Sequence, residues 1–210
     1  MELKVDVQNH WEKIYSEKDS TMLSWYQAVP ESSMNWINQL ALQPEAKILD
    51  VGGGDSRLVD SLTSKGFKEI TVLDLSAKAL EKSRKRLGHN ALSVKWLAQN
   101  ILDYKPSENV DFWHDRAAFH FLRETGEIQQ YKDLAAAAIR PGGYLLVATF
   151  SDQGPLRCSG LEVSRYNEGE LEALFADNFE MIGHQREVHN TPFDSHQEFL
   201  FMLLRRKKED

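Results

Sequence analysis

The sequence predicts an α/β protein: a mainly parallel seven-stranded sheet with helices on both faces, an antiparallel strand at one edge and a helical lead-in. Three observations lead there. From Ala46 onward, short apolar runs alternate with helical patterns, the signature of parallel strands joined by crossover helices. The first run, Lys47-Ile-Leu-Asp-Val51, ends in Gly52-Gly53-Gly54 directly before a helical stretch. The last two apolar runs lack a long crossover between them, so they are expected to pair antiparallel.

The lead-in, residues 1–43, reads as a helical lid or extension, and residues 44–206 form a single compact unit with it. Trp11, Ile14 and Tyr15 share one helical face, and Pro30 can open a second helix carrying Met34, Ile37 and Leu40. This segment is rich in aromatic residues. Trp11, Tyr15, Trp25 and Tyr26 either seal an edge of the core or, for Trp25-Tyr26, cover the glycine turn. After strand 47–51 and a helix over 56–65, strands are expected at 69–75, 92–98, 110–114 and 144–150. Helices are expected at 77–87, 127–140 and 168–175, the second of these broken by Pro141-Gly142-Gly143. Segments 179–188 and 197–205 complete the sheet, and Lys207 to Asp210 reads as a frayed tail.

Composition narrows the function. A length of 210 residues suits one well-cored domain. The net charge of −7 argues against a phosphate-backbone partner and suits a basic protein segment or a neutral small molecule. A lone cysteine, Cys158, allows neither an intramolecular disulfide nor a cysteine-based metal site. His184, His189 and His196 have no metal-ligand spacing and read as structural, so no metal is expected. The N-terminus lacks a basic stretch followed by an apolar one, and no apolar run is long enough to cross a bilayer. A cytosolic protein without membrane or nucleic-acid partners is the expectation.

In an open α/β sheet, ligands bind outside the carboxyl ends of the strands. Those ends carry Asp50 with Gly52-Gly53-Gly54, then Asp74 twenty residues after Gly54, then Gln99-Asn100-Ile101, then Trp113-His114-Asp115-Arg116. Glycines let a ligand approach the backbone, and a carboxylate at position 74 can accept both hydroxyls of a ribose. Structural readings stand beside these: Asp74 or Ser76 can cap the next helix, and Asn100 can serve a turn. Together on one rim they favour a nucleoside. A dinucleotide fingerprint would need glycine where Arg57 stands, and no Walker-type phosphate loop is present.

The stretches Ile48-Leu49-Asp50-Val51-Gly52-Gly53-Gly54, Val72-Leu73-Asp74, Asn100-Ile101 and Ile139-Arg140-Pro141-Gly142-Gly143-Tyr144 resemble the successive motifs of class I S-adenosylmethionine-dependent methyltransferases. More loosely, the aromatic lead-in and the fourth-strand segment resemble a subgroup that includes lysine methyltransferases of elongation factors and citrate synthase. The resemblance implies a Rossmann-like domain binding S-adenosyl-L-methionine and releasing S-adenosyl-L-homocysteine. Gly52 and Gly54, with Gly53 between them, would pass under the methionine part. Asp50 would brace that loop and, with the His114 backbone, hold the amino group. Asp74, with Leu75 beside it, would hold the ribose, and Asn100 and Ile101 the adenine.

The cofactor would carry the activated methyl group, leaving the protein to align nucleophile, methyl and sulfur. A base is required only for a protonated nucleophile, and the candidates on this rim are His114, Asp115 and His120. Asp115 can instead pair with Arg116, and His120 can simply face solvent. Substrate contacts are expected from Trp25, Tyr26, Arg116 and Arg157, with Cys158 beside the last. The acceptor implied is a protein side chain, lysine first, or else a small molecule, and a cofactor-binding protein without transfer is the third reading. The chain is expected to act as a monomer or weak dimer.

Overall fold

The structure, a computed structural model, describes residues 6–208. The extreme N-terminus read above for a leader and the last two residues of the tail lie outside the described residues.

Helix α1 (Val7–Glu17) starts where the Asp6 side chain accepts from the Asn9 N–H, and α2 (Glu31–Gln39) follows Pro30 as expected. Strand β1 (Lys47–Val51) leads to α3 (Leu58–Ser64), β2 (Glu69–Asp74) to α4 (Ala77–Leu87), and β3 (Val94–Ala98) to β4 (Val110–Arg116). Then come α5 (Thr125–Ala138) and the long β5 (Ile139–Ser151). Three two-residue strands follow, β6 (Arg157–Cys158), β7 (Leu161–Glu162) and β8 (Arg165–Tyr166). The chain closes with α6 (Glu168–Phe175), β9 (Phe179–Asn190) and β10 (His196–Arg206).

The sheet runs in the order β3-β2-β1-β4-β5-β10-β9, with β8 added beside β5. The first five strands are parallel, and β10 runs antiparallel between β5 and β9. The seven strands read from sequence are thus present. The antiparallel pair lies at one edge, with β9 outermost. Crossovers change direction between β1 and β4, and that reversal opens a crevice above their carboxyl ends.

Each central strand is buried on both faces, so its residues serve two cores in alternation. Ile48, Phe112, Leu146 and Phe199 join Leu58 and Leu62 of α3 on one face. Leu49, Trp113, Leu145 and Leu200 join Tyr131 of α5 and Phe175 of α6 on the other. The lead-in makes a smaller cluster of its own, in which Tyr15 and Leu23 pack on Ala79 of α4.

The junction of α5 with β5 differs most from expectation. The helix expected to run to Arg140 ends at Ala138, and β5 begins at Ile139, paired with Val110. Pro141-Gly142-Gly143 sits inside the strand as a register shift rather than breaking a helix. A Cβ on Gly143 would come within 3.0 Å of the Asp111 carbonyl, so the strands approach too closely there for any side chain. Among the described residues no helix is long and apolar enough to cross a membrane.

Candidate functional site

A cavity of about 610 Å³ opens above the crevice, inside the range of roughly 300–1,000 Å³ typical of small-molecule sites. Its floor includes Gly52, Asp74, Leu75, Asn100 and Ile101 from the ends of β1, β2 and β3. Arg116, Cys158, Gln197 and Phe199 line it from the β4–β5–β10 side. Trp11, Tyr15 and Trp25 of the lead-in cover it. Trp11 meets Phe121 at 5.2 Å and Trp25 at 5.6 Å between ring centroids.

The glycine turn is shaped by close approach. Gly52 has φ of +65°, and a Cβ there would stand 2.6 Å from that of Ala118. Gly53 and Gly54 lie behind the cavity surface: a Cβ on Gly54 would meet the Tyr15 hydroxyl at 2.8 Å. Ala117, at φ +67°, holds the left-handed conformation directly on the cavity wall, a strain that the surrounding pairing must impose.

Asp74 is buried, and its Oδ1 accepts the Ser76 N–H at 2.8 Å. Burial lifts its pKa to about 7, with the charges of Asp50 and Glu12 adding to the rise and backbone N–H groups opposing it. Ser76 itself caps α4 by accepting the Ala79 N–H. Asn100 spends its side-chain carbonyl on the Leu102 N–H at 2.9 Å, which leaves its amide NH₂ and backbone for a ligand.

Beneath the turn, His114 Nδ1 lies 2.7 Å from Asp50 Oδ1, and His114 Nε2 lies 2.8 Å from the Ser33 hydroxyl of α2. The other Asp50 oxygen is buried against Gly53 with no partner among the described residues. That oxygen lies under the turn and borders neither the main cavity nor a smaller one beside Tyr26, so the close approach for a bound amino-acid moiety is at Gly52, where a Cβ would clash.

Two of the expected bases are turned elsewhere. Asp115 faces α5, where it accepts from the Tyr131 hydroxyl at 2.7 Å and from the backbone N–H groups of Ala118 and Phe119. Burial raises its pKa to about 6 against those donors. It neither lines the cavity nor pairs with Arg116, because adjacent strand residues point to opposite faces. His120 is also buried rather than solvent-facing, its ring 4.8 Å from Phe150 and its pKa pulled down to about 3 by burial and the Arg116 charge. It therefore stays neutral behind the wall. His114 is occupied on both nitrogens. Asp115 and His120 thus border neither cavity, contrary to expectation, and His114 borders only the smaller one beside Tyr26.

Of the expected substrate residues, Trp25 and Arg116 line the main cavity. Tyr26 borders a smaller adjoining cavity, with the Arg57 guanidinium 5.8 Å over its ring. Arg157 is exposed on the β6–β7 hairpin, 3.4 Å from Glu162, and turns away from the site. Its neighbour Cys158 faces inward, and burial pushes its thiol up to about 11. Gln197 and Phe199 escaped sequence reading. Their signal was there, since alternation along β10 puts both on the face that Phe201 buries.

Residues 48–143 match the family model described as a methyltransferase domain. A stretch of 93 residues is 24% identical to the mouse (Mus musculus) eEF1A lysine and N-terminal methyltransferase. That stretch covers 44% of this chain and 13% of the mouse protein. Among solved structures, one concerning conversion of a disulfide bond into a thioacetal group during echinomycin biosynthesis superimposes with a TM-score of 0.77 at 17% identity, over 97% of this chain and 94% of that one. The 1,6-didemethyltoxoflavin-N1-methyltransferase of Burkholderia thailandensis, with 1,6-didemethyltoxoflavin and S-adenosylhomocysteine bound, gives 0.72 at 19% identity, over 96% and 88% of the two chains. These likenesses establish the class I methyltransferase fold.

Proposed function

We propose that this S-adenosylmethionine-dependent methyltransferase acts on a small molecule enclosed between the sheet rim and the lead-in. One observation carries the reading: a single cavity runs from Asp74 and Asn100 to Arg116 and Phe199 beneath the aromatic cover of Trp11 and Trp25. Such a cover leaves a compact chamber beside the cofactor residues.

When bound, the cofactor supplies a methyl group activated on a sulfonium. Asp74 accepts the ribose hydroxyls, and Asn100 and Ile101 border the adenine. Gly52 gives the methionine part a close path, and Asp50, paired with His114, braces the turn beneath it. Trp11, Tyr15 and Trp25 exclude water, which strengthens each polar contact inside. On the β4–β5–β10 wall the ionisable side chains are Arg116 and Cys158, and neither is poised to take a proton near neutral pH. Transfer therefore rests on alignment of an acceptor that presents a free lone pair.

Protein lysine methylation is the second reading, favoured by the stretch shared with the mouse eEF1A methyltransferase. Incubating the protein with radiolabelled methyl donor and a cell extract, split by size into metabolites and macromolecules, tests the choice. Label in the metabolite fraction supports the small-molecule reading. Label confined to a protein band would replace it with the second.

A further inference from the structure

We propose that Arg116 anchors a carboxylate of the methyl acceptor, so that this enzyme methylates an anionic small molecule with an apolar, planar body. The inference deepens the small-molecule reading above and rests on it.

Arg116 is held firmly yet incompletely. Its Nη1 donates to the Trp25 carbonyl at 3.2 Å, and its guanidinium lies 4.8 Å over the Phe199 ring. Nε and Nη2 are buried and have no hydrogen-bond partner among the described residues. Those two nitrogens form the side-on fork of the guanidinium, the pair of parallel donors that matches the two oxygens of a carboxylate. Among the described residues Arg116 forms no ion pair. Glu187 attracts it from a distance, but the Glu187 carboxylate is bonded to the Ser32 hydroxyl. Burial draws the Arg116 pKa down to about 10, so the side chain remains a cation at neutral pH. A charge withdrawn from water without a counter-ion is costly, and its missing partner is an anion.

The surroundings describe the rest of the ligand. Gln197 Oε1 is likewise buried without a partner, so it can accept one N–H or O–H from the same molecule. Phe199, Phe121 and Trp25 supply flat apolar walls. The position favours the acceptor over the cofactor as the source of the carboxylate. Phe199, which carries the guanidinium, stands on β10, two strands beyond β4, whereas Asp74 ends β2 on the opposite side of the crevice.

The test titrates the protein, saturated with S-adenosylhomocysteine, with benzoate and phenylacetate and with their neutral amides, benzamide and phenylacetamide. The carboxylates should bind at least about tenfold more tightly than the amides, because only they fill the fork with charge. Arg116→Gln should abolish that preference, and Arg116→Lys, which keeps charge but loses the fork, should also weaken carboxylate binding. Equal binding of acids and amides by the wild type overturns the proposal without reliance on any variant. So does a result in which Arg116→Gln weakens S-adenosylhomocysteine alone, which would assign the arginine to the cofactor's own carboxylate. Failure of the wild type to bind S-adenosylhomocysteine would instead sink the methyltransferase reading. The same titration without it would then still decide whether Arg116 prefers an acid.

Discussion

His114 and Asp50 face each other across adjacent parallel strands, Nδ1 to Oδ1 at 2.7 Å, and Ser33 holds the far nitrogen of the imidazole. The contact ties α2, β4 and β1 together directly under the glycine turn. Replacing His114 by Ala leaves both Asp50 oxygens buried without a donor, and should cost about 2 kcal/mol of stability by urea unfolding. Ser33→Ala removes one hydrogen bond and should cost roughly half of that.

Gly52 and Gly160 separate conformational strain from contact. Both have positive φ, but a Cβ on Gly52 meets Ala118 at 2.6 Å, whereas one on Gly160 meets nothing within 4 Å. Gly160→Ala should therefore lose about 1 kcal/mol, from backbone strain alone, and keep wild-type affinity for S-adenosylhomocysteine. Gly52→Ala must displace the segment that carries Ala117 and Ala118, and calorimetry should show that affinity falling by at least about tenfold.

Asp74 makes binding depend on pH. Its folded pKa is raised from 3.8 to about 7, so the folded chain keeps a proton that the unfolded chain gives up. The group therefore costs stability progressively as pH climbs through that interval. Ribose hydroxyls need the ionised carboxylate as acceptor. Affinity for S-adenosylhomocysteine should then rise from pH 6 to 8, by up to about tenfold per unit below the pKa, with release of a proton. Calorimetry in buffers of different ionisation enthalpy detects that proton. Asp74→Asn should bind weakly and without the slope.

Asp115 should behave as a strut. Its carboxylate gathers the Tyr131 hydroxyl and two backbone N–H groups. Asp115→Asn should lower stability by about 1–3 kcal/mol, and Tyr131→Phe by less. Turnover of Asp115→Asn, corrected for its folded fraction, should stay close to wild type. A fall of several hundredfold in kcat would restore it to the chemistry.

That Gly52, Asp74 and Asn100 share one rim was legible because the signals are local. Glycines after β1, a carboxylate at the end of β2 and Asn100 at the end of β3 keep their meaning whichever way the sheet is assembled. The acceptor side was not. Position at a strand end does not say which face a side chain takes, and His114, Asp115 and Arg116 alternate. His114 therefore meets Ser33, Asp115 meets Tyr131 and only Arg116 reaches the cavity. Alternation along β10 puts Gln197 and Phe199 on one face, but only the long-range pairing of β10 with β5 brings that face to the site. The start of β5 was hidden by Pro141-Gly142-Gly143, residues that usually end an element but here mark a shift in register.

The most direct measurement is a calorimetric titration of the protein with S-adenosylhomocysteine, run beside NAD. A micromolar Kd for the first, lost in Asp74→Ala, together with no heat from the second, is the expected result. Absence of binding, or binding that ignores Asp74, would contradict the assignment of the cavity.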